Sequence, residues 1–303
     1  MWLVRRLGIT FLFAAILACS ACQGVENAAA PKAGFRTFKD NIGREVQLPQ
    51  TIDRAISLAP SITETIFVAG AGSKLIGDTT YCNYPPEAQS IAKVGDTQNP
   101  NIETIVTLKP QVVFVSTASQ LETYQNVLSQ QNIAYFIVDV RSVEDVPKSV
   151  RQIGDILGTS DAANAAASEL SHRIEAVENK TRGSKKVRTF LQVSEEPLFT
   201  IGKDSFMTAL VELAGGESVT RDLPSGYPRL SKETALALRP EMIILSDSED
   251  NKEPNEAFKN SPAVKNGKVM KINADILSRP GPRLVDALEQ IASYLNSNYS
   301  ENR

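Results

Sequence analysis

The stretch 160–180 constrains the fold of this 303-residue chain more than any other. Its body is rich in Ala and Glu, with Leu170 and Arg173, all strong helix formers. Thr159-Ser160-Asp161, after Gly158, reads as its capping signal. At the far end Lys180 and Arg182 complement the negative end of the dipole, and Gly183 stands where a C′ residue is wanted. Ala163, Ala166, Leu170, Ile174 and Val177 make one apolar stripe at helical spacing. About twenty helical residues span roughly 30 Å, the size of a small domain. With similar α/β sequence on both sides, such a helix is expected to be a rigid strut between two lobes. The alternative is one more surface helix of a single α/β domain.

The two sides alternate in the same way. Residues 35–48 read as a β-hairpin with turn chemistry at 40–43. Strands are expected at 54–58, 75–78, 112–116 and 135–138, and helices at 62–69, 102–108 and 121–130. Paired prolines make 80–86 a loop. Beyond the strut, strands at 187–193, 242–245 and 269–272 and an extended run at 199–202 alternate with helices at 205–214, 234–238 and 283–295. This alternation points to parallel α/β sheets. The expected organisation is a signal at 1–22, a tether and hairpin at 23–52, an α/β lobe at 53–141, connecting helices at 142–183 and a second α/β lobe at 184–303.

One motif occurs once in each half. Glu103-Thr104, a helical turn or two, then Leu108-Lys109-Pro110 and an apolar strand is matched by Glu233-Thr234, then Leu238-Arg239-Pro240 and another. The echo supports two lobes related by an approximate two-fold. It also puts Glu103 and Glu233 at equivalent helix N-termini. Either acid alone is explained by the helix dipole, worth about 0.3–1 kcal/mol. A symmetric pair of surface carboxylates is also what a binder presents to a two-fold partner.

Net charge is −3 and the pI near 5.5, so nothing favours nucleic acid. The basic cluster Lys185, Lys186 and Arg188 is too short for a binding patch. The single histidine, His172, lies in the strut and reads as a surface residue. There is no Gly-x-Ser-x-Gly elbow, phosphate loop or metal-spaced His/Cys cluster, so an enzyme is not expected. Arg5 and Arg6 before an apolar run at 7–17 form an export signal. Ile16-Leu17-Ala18-Cys19 resembles a bacterial lipobox, with Cys22 a second lipidation candidate and an ordinary secretory cut near Ala21 the alternative. Cys82 is expected to be a buried thiol. The expected product is an exported, lipid-anchored monomer in the periplasm or cell envelope.

Three stretches carry a family resemblance: Ile56-Ser57-Leu58-Ala59-Pro60-Ser61-Ile62-Thr63-Glu64; Tyr81-Cys82-Asn83-Tyr84-Pro85-Pro86-Glu87-Ala88; and Asn101-Ile102-Glu103 through Leu108-Lys109-Pro110. Together they resemble the periplasmic substrate-binding proteins of ABC importers for vitamin B12 and iron-siderophores. The second stretch points to the B12 branch. The resemblance implies two Rossmann-like lobes joined by one long rigid helix, little interlobe closure, and partnership with an ABC permease and its ATPase. It implies that Glu103 and Glu233 dock on the permease. It places Tyr81, Phe199 and Tyr227 against a corrin ring, with Asp275 and Arg279 as a polar pair near the ligand. Flat rings on a macrocycle with a few orienting polar groups make chemical sense. The only tryptophan is Trp2, in the signal, and Thr97 and Ser116 fall near positions where the B12 branch has tryptophans. The ligand classes therefore include cobalamin, another corrinoid, a ferric siderophore and haem, where Tyr81 could ligate iron. A reading from another class is an envelope lipoprotein that binds a partner through its glutamates, with a cleft lined by charges instead of aromatics.

Overall fold

The structure, a computed structural model, describes residues 34–117 and 121–299. The export signal and both lipidation candidates, Cys19 and Cys22, lie outside the described residues. The described chain opens with an antiparallel hairpin, β1 (Phe35–Lys39) and β2 (Glu45–Pro49). At its turn Ile42 N and Arg44 N both donate to Asp40 Oδ1, and Gly43 adopts φ +91°.

The first lobe holds β3 (Ala55–Ser57), α1 (Pro60–Val68), β4 (Leu75–Gly77), α2 (Ile102–Leu108), β5 (Val112–Ser116), α3 (Leu121–Gln130) and β6 (Tyr135–Val138). Its strands pair in parallel in the order β4-β3-β5-β6. Two helices follow, α4 (Asp145–Leu157) and α5 (Ser160–Thr181). The second lobe holds β7 (Val187–Ser194), β8 (Phe199–Thr200), α6 (Phe206–Leu213), β9 (Gly216–Ser218), α7 (Lys232–Leu238), β10 (Met242–Asp247), α8 (Pro262–Lys265), β11 (Val269–Asn273), α9 (Ala274–Ser278) and α10 (Leu284–Tyr299). Here β9-β7-β10-β11 repeats the parallel order of the first lobe, and β8 is added antiparallel to β7.

The repeat extends to side chains. Helices α2 and α7 end on Lys109 (φ +48°) and Arg239 (φ +44°), each followed by proline. Arg54 donates to Leu108 O and Lys109 O, and Arg188 Nη2 donates to Leu238 O at 2.7 Å. Gln111 Oε1 accepts from Arg54 N, and Glu241 Oε2 accepts from Arg188 N.

The strut is one unbroken helix, α5, released by an extended Arg182 and by Gly183 at φ +74°. Its start differs from expectation. Thr159 occupies the N-cap without a side-chain capping bond, and its Oγ1 is buried without a partner. Asp161 supplies the first-turn charge instead. The buried stripe runs Ala163, Ala167, Leu170, Ile174 and Val177. Ala167 replaces the expected Ala166 because α5 faces another helix, α4, and steps of four and three keep a seam on a helical neighbour. At that seam a Cβ on Gly154 would stand 2.1 Å from Ala163 Cβ. One continuous core runs from Val46 and Ile52 through Ile153, Ala163 and Ile174 to Leu288 and Leu295. Arg173 on α5 also grips Asp286 and Glu289 of α10 at 2.6–2.9 Å. The strut is thus embedded in apolar packing shared by both lobes.

Gly154→Ala is expected to destabilise the fold by about 1–3 kcal/mol through overpacking at the α4–α5 seam. Urea unfolding checks this as a lower midpoint at unchanged slope.

Candidate functional site

In parallel α/β sheets, sites form beyond the carboxyl ends of the strands. The charged and aromatic residues of interest lie there. The link after β3 leads into α1, which carries Glu64; the loop after β4 carries Tyr81, Asn83 and Tyr84; α9, following β11 directly, carries Asp275 and leads to Arg279.

These segments meet in one ionic knot between the lobes. Glu64 is 1% exposed. Its Oε1 accepts from Arg283 Nη2 at 2.6 Å and Arg279 Nη1 at 3.1 Å, and its Oε2 accepts from Arg283 Nε at 2.9 Å. Arg279 Nη1 also donates to Asn83 Oδ1 at 2.8 Å, and its Nη2 reaches Tyr81 O at 3.3 Å and Asp275 Oδ1 at 2.7 Å. Asn83 Nδ2 closes the ring by donating to Asp275 Oδ2 at 2.9 Å. The Arg283 guanidinium lies 4.2 Å from the centre of the Tyr84 ring, a cation–π contact. Two arginines therefore face two carboxylates, and the knot is neutral. Hydrogen bonds and the opposite charge of Glu64 hold the Arg283 guanidinium protonated against the opposing effect of its burial.

The Tyr81 loop is fastened from beneath. Lys93 Nζ donates to Asp78 Oδ1 at 2.7 Å, Ala88 O at 3.0 Å and Cys82 O at 3.2 Å. Cys82 is a buried free thiol, as expected, with Sγ 3.2 Å from Thr63 Oγ1 and 3.1 Å from Thr79 Oγ1. Burial pushes its pKa up, away from reactivity. Above this base the rings stand clear: Tyr81 is 61% exposed and Tyr84 44%.

The second lobe contributes Phe199 and Tyr227. Phe199 is half-buried on β8 and bridges Arg229, while Thr200 N donates to Pro228 O and Gly202 N to Gly226 O. These bonds lay the Tyr227 loop beside β8, and Tyr227 is 50% exposed. The structure thus joins Tyr81 to Asp275 and Arg279, and Phe199 to the Tyr227 loop. Among the described residues no aromatic ring pair links the two groups. A cavity of about 500 Å³ opens on the second lobe beside Leu198, Arg229, Lys232 and Glu256, and none of the five expected ligand residues lines it.

Glu103 and Glu233 are exposed in the first turns of α2 and α7. Each N-cap accepts from the third residue on: Asn101 Oδ1 from Thr104 N, Ser231 Oγ from Thr234 N. Hydrogen bonds at that helix start hold the Glu233 carboxyl below its usual range. His172 is exposed on α5.

Sequence reasoning missed Glu64, Asn83, Tyr84 and Arg283 as site-forming residues. Glu64 is an acid inside the run Ile62–Phe67 whose neighbours are buried, and that burial is visible only in the fold. No local signal pointed to Arg283, which lies 219 residues away.

Two α/β lobes with the same strand order, spanned by one helix and meeting over an aromatic, charge-balanced rim, are the architecture of a bilobal ligand-binding protein. The chain belongs to the periplasmic binding protein family, whose model matches residues 56–276. It is 32% identical over 253 residues to the vitamin B12-binding protein of Pectobacterium carotovorum strain PC1, covering 82% of this chain and 90% of that one. Its fold matches the periplasmic vitamin B12-binding protein BtuF of Vibrio cholerae at a TM-score of 0.72 and 29% identity, covering 83% and 99%. It also matches the periplasmic heme-binding protein RhuT of Roseiflexus sp. RS-1 at 0.72, with 19% identity and 81% and 98% coverage, a likeness of fold alone. Family membership makes the chain an exported, non-enzymatic binding subunit that serves an ABC permease and its ATPase.

Asp78 supplies a pH signature of the loop base. Its carboxylate is fully buried, Oδ2 has no partner, and burial pushes its pKa up to about 6 against the opposing pull of Lys93. The folded state thus holds this proton more tightly than the unfolded chain, so Asp78 lowers stability as pH rises from about 4 to about 6, with no further change above. Relative to wild type, Asp78→Asn is expected to gain on the order of 1–3 kcal/mol across that window. Urea unfolding of both proteins at stepped pH checks this.

Proposed function

We propose that this protein is the lipid-anchored capture subunit of an importer for cobalamin or a related corrinoid. The observation that carries the ligand class is the charge balance of the cleft: both arginines are engaged by Glu64 and Asp275 while three tyrosine rings stand exposed. A corrinoid is a flat macrocycle fringed with neutral amides. Tyr81, Phe199 and Tyr227 offer it ring faces, and Asp275, oriented by Arg279 and Asn83, offers acceptor oxygens to amide N–H groups. Haem and catecholate siderophores carry anionic edges and call for free cations, and Arg279 and Arg283 are not free to meet them. The names of the relatives above support the same reading. The lipid anchor would be Cys19 or Cys22.

Calorimetric titration with cyanocobalamin tests the ligand. Binding tighter than roughly micromolar, about 8 kcal/mol, is expected, with Tyr81→Ala weakening it about tenfold or more. Silence with cyanocobalamin and cobinamide, followed by binding of haem or a ferric siderophore, would reassign the ligand class.

Delivery uses the rim. Glu103 and Glu233 sit at repeat-related helix starts on the same strand-end side as the cleft, one per lobe. One turn on, each has an exposed apolar neighbour, Val106 at 36% and Leu236 at 50%. This pairing fits a two-fold permease that presents a cation beside an apolar surface in each half. In cells that depend on this protein for uptake, Glu103→Ala with Glu233→Ala is expected to cut cyanocobalamin uptake at least tenfold while calorimetric affinity stays at the wild-type value.

A further inference from the structure

We propose that Glu64 is a positioning residue of the ligand cleft: from the first lobe it holds Arg279 and Arg283 of the second and so sets the separation of the two cleft walls. The inference rests on the reading of this cleft as the binding site. A carboxylate this deeply buried is strongly unfavourable unless it is paired and hydrogen-bonded. Glu64 has no ion-pair partner in its own lobe among the described residues, and both arginines come from the far one. The contact is close in backbone as well. Between the two arginines, Gly281 packs on the first turn of α1, where a Cβ would stand 3.1 Å from Ser61 O and 3.2 Å from Ser61 Cβ.

Glu64 acts on the ligand through Arg279. Its Oε1 fixes the Nη1 edge of that guanidinium, and the Nη2 edge then orients Asp275 and meets the carbonyl of Tyr81. One carboxylate thereby registers a polar group of the second wall against an aromatic of the first. Removing its charge would leave two neighbouring guanidinium groups with only Asp275 between them. Without that carboxylate the attraction that draws both guanidinium groups to the first wall is lost, and the walls would part.

The test uses the full chain and compares wild type with Glu64→Gln, Glu64→Asp and Arg283→Gln. Small-angle X-ray scattering reads the lobe separation without ligand, and stopped-flow absorbance reads cyanocobalamin dissociation. Glu64→Gln is expected to enlarge the radius of gyration and speed dissociation at least tenfold. Glu64→Asp should fall between it and wild type. Arg283→Gln, which keeps one ionic contact, should shift both readouts less in the same direction, and it decides the matter if Glu64→Gln does not fold. A lower melting temperature with unchanged scattering and dissociation would reduce Glu64 to a structural ion pair and overturn the inference. If wild type ignores cyanocobalamin, the ligand reading falls, and the scattering comparison still decides the role of Glu64.

Discussion

A carboxylate cut off from water must find cations, and in this protein that requirement joins two lobes. Glu64 is the only charged residue of the buried helix α1 in the first lobe, and its charge is met by two arginines of the second. The aromatic loop, Asn83 and Asp275 are arranged around those arginines. The same union is also made by packing, as α4 and α5 run through a core shared with both sheets. The charge-balanced knot and the embedded strut constrain the same degree of freedom, the width of the cleft. Such a protein is suited to recognising a rigid, bulky ligand with little closure, because little of the binding energy has to go into ordering the walls.

The internal repeat explains how one chain can carry the cleft and the paired glutamates on one edge. Helices that precede parallel strands start at the carboxyl edge of the sheet, so α2 and α7 place Glu103 and Glu233 on the side where the cleft opens. Their C-terminal ends are secured alike, by Arg54 on Leu108 O and Arg188 on Leu238 O and by a left-handed residue before proline. The two glutamates are held by matching local structure, which is what a symmetric partner needs. The lobes differ at their carboxyl edges in the tyrosine-rich loop after β4 in one, and in the added β8 with the Tyr227 loop in the other.

Much of this was legible in the sequence. Helix α2, strands β5 and β6 and helix α3 fall where punctuation by Asn101, Pro110 and the apolar runs puts them, because those signals are local. The strut was readable from its composition, but not its exact face: Ala167 is buried in place of Ala166 because a neighbouring helix, and not periodicity alone, selects the seam. Strand β9, Gly216-Glu217-Ser218, and helix α9, five residues long, carry too little periodicity to announce themselves. Tyr81, Asp275 and Arg279 were legible as candidates only through family resemblance, and Glu64 was not, since a glutamate in a helix reads as solvent-facing until its distant partners are known. Long-range charge pairing has no period for a sequence to display.

In the proposed cleft, ligand meets both lobes at once across the Glu64 knot. Amide hydrogen exchange with and without saturating cyanocobalamin tests it most directly. Added protection is expected on both lobes together, in the loop at 79–85 and in the segments at 198–203 and 274–283, with the strut unchanged. Protection confined to one lobe, or centred on the cavity beside Arg229 and Lys232, would contradict it.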